Sequence, residues 1–299
     1  MLSIRRNGRA LQAGASHAGF FFSETPMFKS FSLLLVFSLA ACAAAAPGSA
    51  RLDRIDGRQL ETLTLRHAAG APVVVFEGGS RGTIDKWGTV PELVAAQATV
   101  FAYNRPGYGR SSVADTVRDG ATIVEELRST LRQKGLAPPY VLVGHSLGGL
   151  YMQLFARRYP QEVSALVLID SLYPGMIKKT QDFPWTTRVA GQLAFSRSVW
   201  REIEQIDATG EVIVGLPAID DKPIVRLVNQ PVSSTAVAVD FGAFRMDQAT
   251  RDSVRALYPK ATRIVVDSSH QMALTSPEIV ASAILSVLPA DGGDTVMHQ

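Results

Sequence analysis

A serine flanked by glycines, between a predicted strand and a predicted helix, constrains this chain most. The segment Gly144-His145-Ser146-Leu147-Gly148 follows Tyr140–Val143, an apolar run typical of a buried strand, and precedes Leu150–Tyr159, which has helical amphipathic spacing. The glycines permit a strained turn that would present the Ser146 hydroxyl above the sheet, at the start of the following helix and its dipole. The pattern alone also fits an ordinary glycine-rich turn, so the flanking strand and helix are what favour a nucleophilic serine.

Strands alternate with helices along most of the chain. Predicted strands are Gln59–Arg66, Pro72–Phe76, Thr99–Tyr103, Val163–Ile169, Pro223–Val228 and Thr262–Val266, and predicted helices are Trp87–Gln97, Thr122–Lys134, Ala249–Leu257 and Pro277–Leu288. This alternation predicts a mainly parallel sheet covered by helices on both faces. Residues 172–222 contain helical stretches but no clear strand, which indicates a helical lid inserted over the strand ends.

The chain resembles the α/β-hydrolase superfamily from Arg51 to Pro289. Besides the serine segment, residues 101–111 (FAYNRPGYGRS) look like the loop after the family's fourth strand, although the family usually has aspartate where this chain has Asn104. Residues 267–270 (DSSH), followed by Pro277, look like the family's last strand, base and final helix. The resemblance implies an α/β fold with a mostly parallel eight-stranded sheet and an inserted helical lid.

His270 is the predicted base, because a serine hydroxyl is a poor nucleophile until a positioned base accepts its proton. Four of the five histidines are poorly placed for this role. His17 lies in the leader, His298 in the tail and His67 in a predicted turn. His145 adjoins the serine, and neighbouring side chains on a sharp turn cannot easily face each other. His270 follows a late strand, in the chain order serine, acid, histidine.

The acid that would orient this histidine is predicted to be Asp170, which directly ends a strand. The more usual family position follows the next strand, which reads LVNQP over residues 227–231 and contains no acid. Asp240 and Asp247 come later in that connection and remain alternatives, whereas Asp267 lies only three residues before the base, an awkward spacing. Asp170 would otherwise serve as a turn cap.

An oxyanion hole is expected from two backbone amides. One is the amide of Leu147, directly after the serine. The other comes from the turn Glu77-Gly78-Gly79-Ser80, where the family often has His-Gly; that register indicates Gly79, with Ser80 as the alternative. A plain glycine turn would give the same pattern.

These residues predict a serine hydrolase, with carboxylic ester hydrolysis through an acyl-enzyme favoured. An amidase, peptidase or thioesterase remains an alternative, as does a non-catalytic binding protein on the same fold. The sequence lacks the His-Glu-x-x-His pattern and has a single cysteine, so neither a metal nor another cofactor is expected. Five residues of the predicted lid would line an apolar acyl pocket or pack the lid onto the body: Phe183, Trp185, Phe195, Val199 and Trp200.

Size and charge fit a small acyl substrate rather than nucleic acid. The chain has 299 residues, of which 46% are hydrophobic and 19% charged, enough for one globular domain, predicted at residues 48–290. Its net charge of +3 arises in the first 41 residues, which hold four basic residues and one acid, so the remainder is neutral. A neutral body lacks the basic surface that nucleic acids require. The sequence does not indicate an oligomeric state.

The N-terminal region predicts export. Residues 1–26 are interpreted as an upstream extension, and a positive start followed by a short apolar run from Met27 resembles a secretory signal. Leu39-Ala40-Ala41-Cys42 resembles a bacterial lipobox, which would place a lipid anchor on Cys42 and the protein in the periplasm, in the medium or on a membrane. The alternative is ordinary cleavage near Ala44–Ala50. The leader and its linker comprise residues 1–47, and residues 291–299 are predicted to form a flexible tail.

Overall fold

The computed structural model describes residues 48–230, 242–245 and 247–289. Three predictions fall outside these residues: the leader with Cys42, the alternative acid Asp240, and the C-terminal tail.

These residues form an eight-stranded sheet and a series of helices. The strands are β1 (Arg51–Ile55), β2 (Arg58–Leu65), β3 (Val73–Glu77), β4 (Thr99–Tyr103), β5 (Tyr140–His145), β6 (Val163–Ile169), β7 (Ile224–Asn229) and β8 (Thr262–Val266). The helices are α1 (Val90–Ala95), α2 (Gly120–Gln133), α3 (Leu147–Arg158), α4 (Trp185–Ala194), α5 (Arg197–Glu204), α6 (Ile206–Gly215), α7 (Gln248–Ala256), α8 (Met272–Thr275) and α9 (Pro277–Leu285). Within the described ranges, no helix has both the length and the apolar character that crossing a membrane requires.

The sheet has the strand order β1-β2-β4-β3-β5-β6-β7-β8. β1 pairs with β2 and β2 with β4 in antiparallel fashion, and every later pairing is parallel. The carboxyl ends of β3 to β8 therefore share one edge of the sheet, the edge at which α/β proteins place their ligands. The mostly parallel eight-stranded sheet predicted from the sequence is confirmed.

Alternate residues of the central strands build two separate cores, because neighbouring side chains of a strand point to opposite faces. Val75 and Leu142 face one core, in which they pack with α2, α3 and α6. Val74 and Val143 face the other, in which they pack with α1, α8 and α9. Both faces of the sheet are covered, and the central strands β3, β4 and β5 are buried along their whole length.

Three helices, α4, α5 and α6, lie between β6 and β7. They are called the inserted helices below. Their residues coincide with the segment in which the sequence shows no strand pattern. They begin after the carboxyl end of β6, so the chain leaves the sheet at the edge where the candidate site lies.

Candidate active site

Ser146 occupies the turn between β5 and α3, with backbone angles φ 52° and ψ −121°. A non-glycine residue with positive φ is uncommon and is retained where the surrounding structure enforces it. Here the Ser146 amide donates to the carbonyl of Ile169, and the Ser146 carbonyl accepts from the amides of Gly149 and Leu172. The side chain is partly exposed, as a reacting hydroxyl must be.

Gly148 explains why this turn requires glycine. A Cβ atom placed on Gly148 would lie 2.1 Å from the carbonyl oxygen of Glu77, which no side chain tolerates. The first turn of α3 therefore packs directly against the end of β3. This close approach brings the loop after β3 beside Ser146.

His270 and Asp170 lie 100 residues apart in the chain but are in contact in the structure. Nδ1 of His270 lies 2.7 Å from Oδ2 of Asp170, and the two side chains are 54% and 26% exposed. Asp170 follows β6 with φ 38°, and its other carboxylate oxygen accepts from the amide of Asn229. Both residues line a cavity that Ser146 also lines. The three residues predicted from the sequence thus share one site.

Asp247, one of the alternative acids, has a different set of partners. Its carboxylate accepts from the backbone amide of Thr250 at 2.8 Å and from the Thr250 hydroxyl at 3.1 Å, which makes it the N-cap of α7. Capping satisfies an amide that lacks a partner in the first helical turn. The geometry favours Asp170 as the partner of His270.

His145 lies under His270, and their ring centroids are 4.7 Å apart. Nε2 of His145 donates to the main-chain carbonyl of His270 at 2.7 Å, so His145 holds the backbone of the loop that carries the predicted base. Burial and the neighbouring His270 lower the pKa of His145 to about 4. The His145 imidazole is therefore neutral near pH 7, with one N–H to donate.

The predicted oxyanion donors flank Ser146. Leu147 is the first residue of α3, and amides in a first helical turn lack partners within the helix. Gly79 lies on the other side: a Cβ atom built on it would be 2.9 Å from the Cβ of Ser146 and 3.3 Å from the carbonyl oxygen of His145. The loop after β3 therefore reaches within van der Waals distance of the serine, and the role of Gly79 and Leu147 as oxyanion donors stays a prediction.

Behind this loop lies a buried charge cluster, which we define as Glu77, Arg105, Arg118 and Glu202. All four side chains are at most 2% exposed. Nη1 of Arg105 donates to Oε1 of Glu77 at 2.5 Å, and its Nη2 lies 3.0 Å from Oε2 of Glu202. Burial acts to lower the pKa of Arg105, but the carboxylates of Glu202 and Glu77 outweigh it and raise that pKa well above the usual value. Arg118 pairs with Glu202 at 3.3 Å and also with the partly exposed Glu126 at 2.6 Å, so each buried arginine contacts two carboxylates.

The sequence analysis does not predict this cluster, although Glu77 stands where the family often has histidine. A buried carboxylate requires a cation and further donors. Arg105 supplies the cation, and the hydroxyl of Tyr103 donates to Oε2 of Glu77 at 2.5 Å. The sequence does contain one signal for this cluster. Glu77 ends a buried strand, and Arg105 follows the next strand 28 residues later.

Asn104, the other departure from the family pattern, is explained by its two neighbours. Its Oδ1 accepts from the amide of Ile84 at 2.8 Å, and its Nδ2 donates to Oε2 of Glu61 at 2.7 Å. An amide side chain offers both an acceptor and a donor, whereas an aspartate here would face the Glu61 carboxylate with like charge.

A cavity of about 630 Å³ opens beside Ser146, Asp170 and His270. Its walls are mainly apolar, and the inserted helices contribute Thr187, Ala190, Gly191, Ala194, Trp200, Ile203 and Ile206. Of the five residues that the sequence predicts for an acyl pocket or for lid packing, Phe183, Phe195 and Trp200 line this cavity. Trp185 is 69% exposed and Val199 is buried, and neither lines it. An apolar cavity with a few polar groups at one end is typical of a small-molecule site.

A second cavity, of about 740 Å³, lies at the opposite edge of the sheet, near the amino ends of β3, β4 and β5. Its lining includes Arg66, His67 and Pro139 but none of the predicted site residues. In the part of the chain that the structure describes, no group of three or more His, Cys, Asp or Glu side chains is arranged to hold a metal ion.

Comparisons with known proteins agree with this architecture. Residues 71–192 match a family model described as the alpha/beta hydrolase fold, a segment that contains Ser146 and Asp170 and ends before His270. The uncharacterized protein YbdG of Bacillus subtilis is 28% identical over 143 residues, which cover 45% of this chain and 41% of YbdG. The chain spans less than half the length of the first curated relatives it matches.

Two solved structures show the same arrangement at low sequence identity. Cfl2 from Burkholderia cenocepacia has a TM-score of 0.58 and 18% identity, covering 80% of this chain and 95% of its own. The thioesterase domain from the curacin biosynthetic pathway has a TM-score of 0.55 and 18% identity, covering 80% of this chain and 99% of its own. At this identity, the likeness concerns the fold alone.

Proposed function

We propose that this chain, which has the α/β-hydrolase fold and whose matches support the α/β-hydrolase superfamily, is a serine hydrolase of carboxylic esters. The observation that carries the proposal is the convergence of Ser146, His270 and Asp170 on one apolar cavity, with His270 hydrogen-bonded to Asp170. Each residue type suits one role in acyl transfer: nucleophile, base and orienting acid.

The proposed reaction has two halves. His270 accepts the proton of the Ser146 hydroxyl while Ser146 Oγ bonds to the ester carbonyl carbon; the bond to the alcohol oxygen then breaks, and the alcohol leaves with that proton. Water next attacks the acyl-enzyme, giving its proton to His270, and the carboxylic acid leaves as Ser146 regains its hydrogen. The amides of Leu147 and Gly79 would stabilise the negative oxygen in both halves.

The cavity favours an uncharged, apolar acyl group. Apolar side chains from the inserted helices form much of its wall, so we propose that these helices act as a lid over the acyl chain. Each methylene buried there would contribute about 0.8 kcal/mol, or roughly a fourfold gain in kcat/KM, until the cavity is filled.

Hydrolysis of p-nitrophenyl esters of increasing acyl length tests the proposal. The wild-type protein should hydrolyse them with kcat/KM rising from acetate to medium-length chains, and Ser146→Ala should lose this activity. Ala194→Phe, which narrows the cavity, should depress activity on the longer esters and spare acetate, whereas Leu193→Phe, at an 83% exposed neighbour, should match the wild type. Activity retained in Ser146→Ala, or faster turnover of matched amides or thioesters, would contradict the ester assignment.

We also propose that the protein is exported and carries a lipid on Cys42. The support is the sequence of the leader. Metabolic labelling with an alkyne fatty acid should mark the wild-type protein and not Cys42→Ser. Equal labelling of both, or a mature protein beginning near Ala44–Ala50, would contradict lipidation.

A further inference from the structure

We propose that Arg105 is a positioning residue that aims the candidate oxyanion donors at the reacting carbonyl. The inference rests on the proposed acyl-transfer function. The Arg105 side chain lies behind the loop after β3 and is not among the residues that line the cavity beside Ser146. Its buried guanidinium makes several contacts with that loop.

Arg105 donates hydrogen bonds to two successive carbonyls of this loop. Nη1 donates to the carbonyl oxygen of Gly78 at 2.5 Å, and Nη2 donates to that of Gly79 at 2.9 Å. In a trans peptide, the carbonyl and the following N–H point in opposite directions across a rigid plane. Because the carbonyl of Gly78 points toward Arg105, the amide N–H of Gly79 points away from Arg105. Because the carbonyl of Gly79 also points toward Arg105, the amide N–H of Ser80 points away from it as well.

These two amides are the predicted oxyanion donor and its alternative. Gly79 lies against Ser146, and Ser80 lines the same cavity as Ser146. The structure therefore assigns Arg105 control over the orientation of either donor. Arg105 holds the carbonyl before each of these amides, and the amide of Gly82 also donates to the carbonyl of Gly79, at 3.1 Å.

The guanidinium is itself held from three sides. Glu77 and Glu202 pair with it, and the ring of Tyr108 lies 4.4 Å from its central carbon. Since guanidinium is planar and presents donors in a fixed fork, it serves two carbonyls and two carboxylates at once, which a lysine ammonium cannot. Glu202 belongs to α5, whose Trp200 and Ile203 line the cavity, so Arg105 also connects the loop to the cavity wall.

Hydrogen exchange measured by mass spectrometry tests this role without any substrate. In Arg105→Lys, the peptide covering residues 77–82 should exchange at least tenfold faster than in the wild type. Arg118→Lys is the matched control, because Arg118 belongs to the same cluster and pairs with Glu202 and Glu126. This control should leave exchange in residues 77–82 within twofold of the wild type.

Kinetics on the best p-nitrophenyl ester give the second readout. Because oxyanion contacts act in the transition state, Arg105→Lys should lower kcat by tenfold or more with KM within twofold, and Arg118→Lys should retain kcat. If Arg105→Lys does not fold, Glu77→Gln replaces it. This variant weakens the ion pair with Nη1 of Arg105, and its exchange rate and kcat should lie between those of the wild type and those expected for Arg105→Lys.

The outcomes separate this role from the function itself. Unchanged exchange over residues 77–82 in a folded Arg105→Lys or Glu77→Gln overturns the positioning role, and so does an equal kcat loss in Arg118→Lys. An inactive wild type whose exchange still responds to Arg105→Lys instead overturns the ester hydrolase assignment and supports the structural coupling.

Discussion

Nδ1 of His270 lies 2.7 Å from Oδ2 of Asp170, although 100 residues separate them in the chain. The contact arises because the parallel strands β6 and β8 end at the same edge of the sheet, one strand apart. A carboxylate at this position fixes the imidazole tautomer that leaves Nε2 free to accept a proton from a serine.

Asp170→Asn should therefore lower kcat by about 10³- to 10⁴-fold, the loss expected when the tautomer is wrong. Asp247→Asn is the matched comparison, since that carboxylate caps α7. Steady-state kinetics on one ester decide between them. Near-normal turnover in Asp170→Asn, or a comparable loss in Asp247→Asn, would contradict the assignment of Asp170 as the acid that orients His270.

Gly79→Ala should reduce kcat on the order of 10²-fold or more. The added Cβ would sit 2.9 Å from the Cβ of Ser146, so either the serine or the oxyanion loop must move. Gly215→Ala provides the control, because a Cβ built there meets nothing within 4 Å. Equal activity of the two variants in the ester assay would show that Gly79 does not bear on the reaction.

His145 should lower the free energy of unfolding in mild acid. Its pKa of about 4 in the folded protein lies below the ordinary 6.5, so between these values the unfolded chain binds the extra proton. The free energy of unfolding should thus be at its full value above pH 6.5 and fall as the pH drops toward 4, by up to roughly 3 kcal/mol.

Urea unfolding of the wild type and His145→Gln at pH 4.5 and 7.5 measures this contribution. The variant should show a smaller drop in the free energy of unfolding between the two pH values. His67→Gln, at an exposed histidine, should behave as the wild type does. An unchanged drop in His145→Gln would mean that other groups cause the acid sensitivity.

Much of the sheet could be predicted, because a buried parallel strand leaves a compact apolar run. The predicted bounds of Thr99–Tyr103, Val163–Ile169 and Thr262–Val266 equal those of β4, β6 and β8. β1 was not predicted: Arg51–Ile55 is an edge strand, largely exposed, with three charged residues. Such a strand is stabilised by pairing with β2 rather than by burial, so its sequence carries little apolar signal.

The members of the candidate site differ in how much of the sequence is needed to predict them. Ser146 and His270 follow from a local motif and from elimination among five histidines, whereas choosing Asp170 over Asp247 required knowing which carboxylate faces His270. The Arg105 contacts with Gly78, Gly79 and Glu202 join segments as far as 97 residues apart. No local pattern encodes such contacts, so they emerge only when the strands and the inserted helices are packed together.

The central claim is that Ser146 is a nucleophile activated by His270. Its most direct test is reaction of the folded protein with a fluorophosphonate, followed by mass spectrometry of the intact chain and of its peptides. We predict one adduct per chain, located on Ser146, and a loss of most labelling in His270→Ala. Absence of an adduct, or an adduct on a residue other than Ser146, would contradict the account.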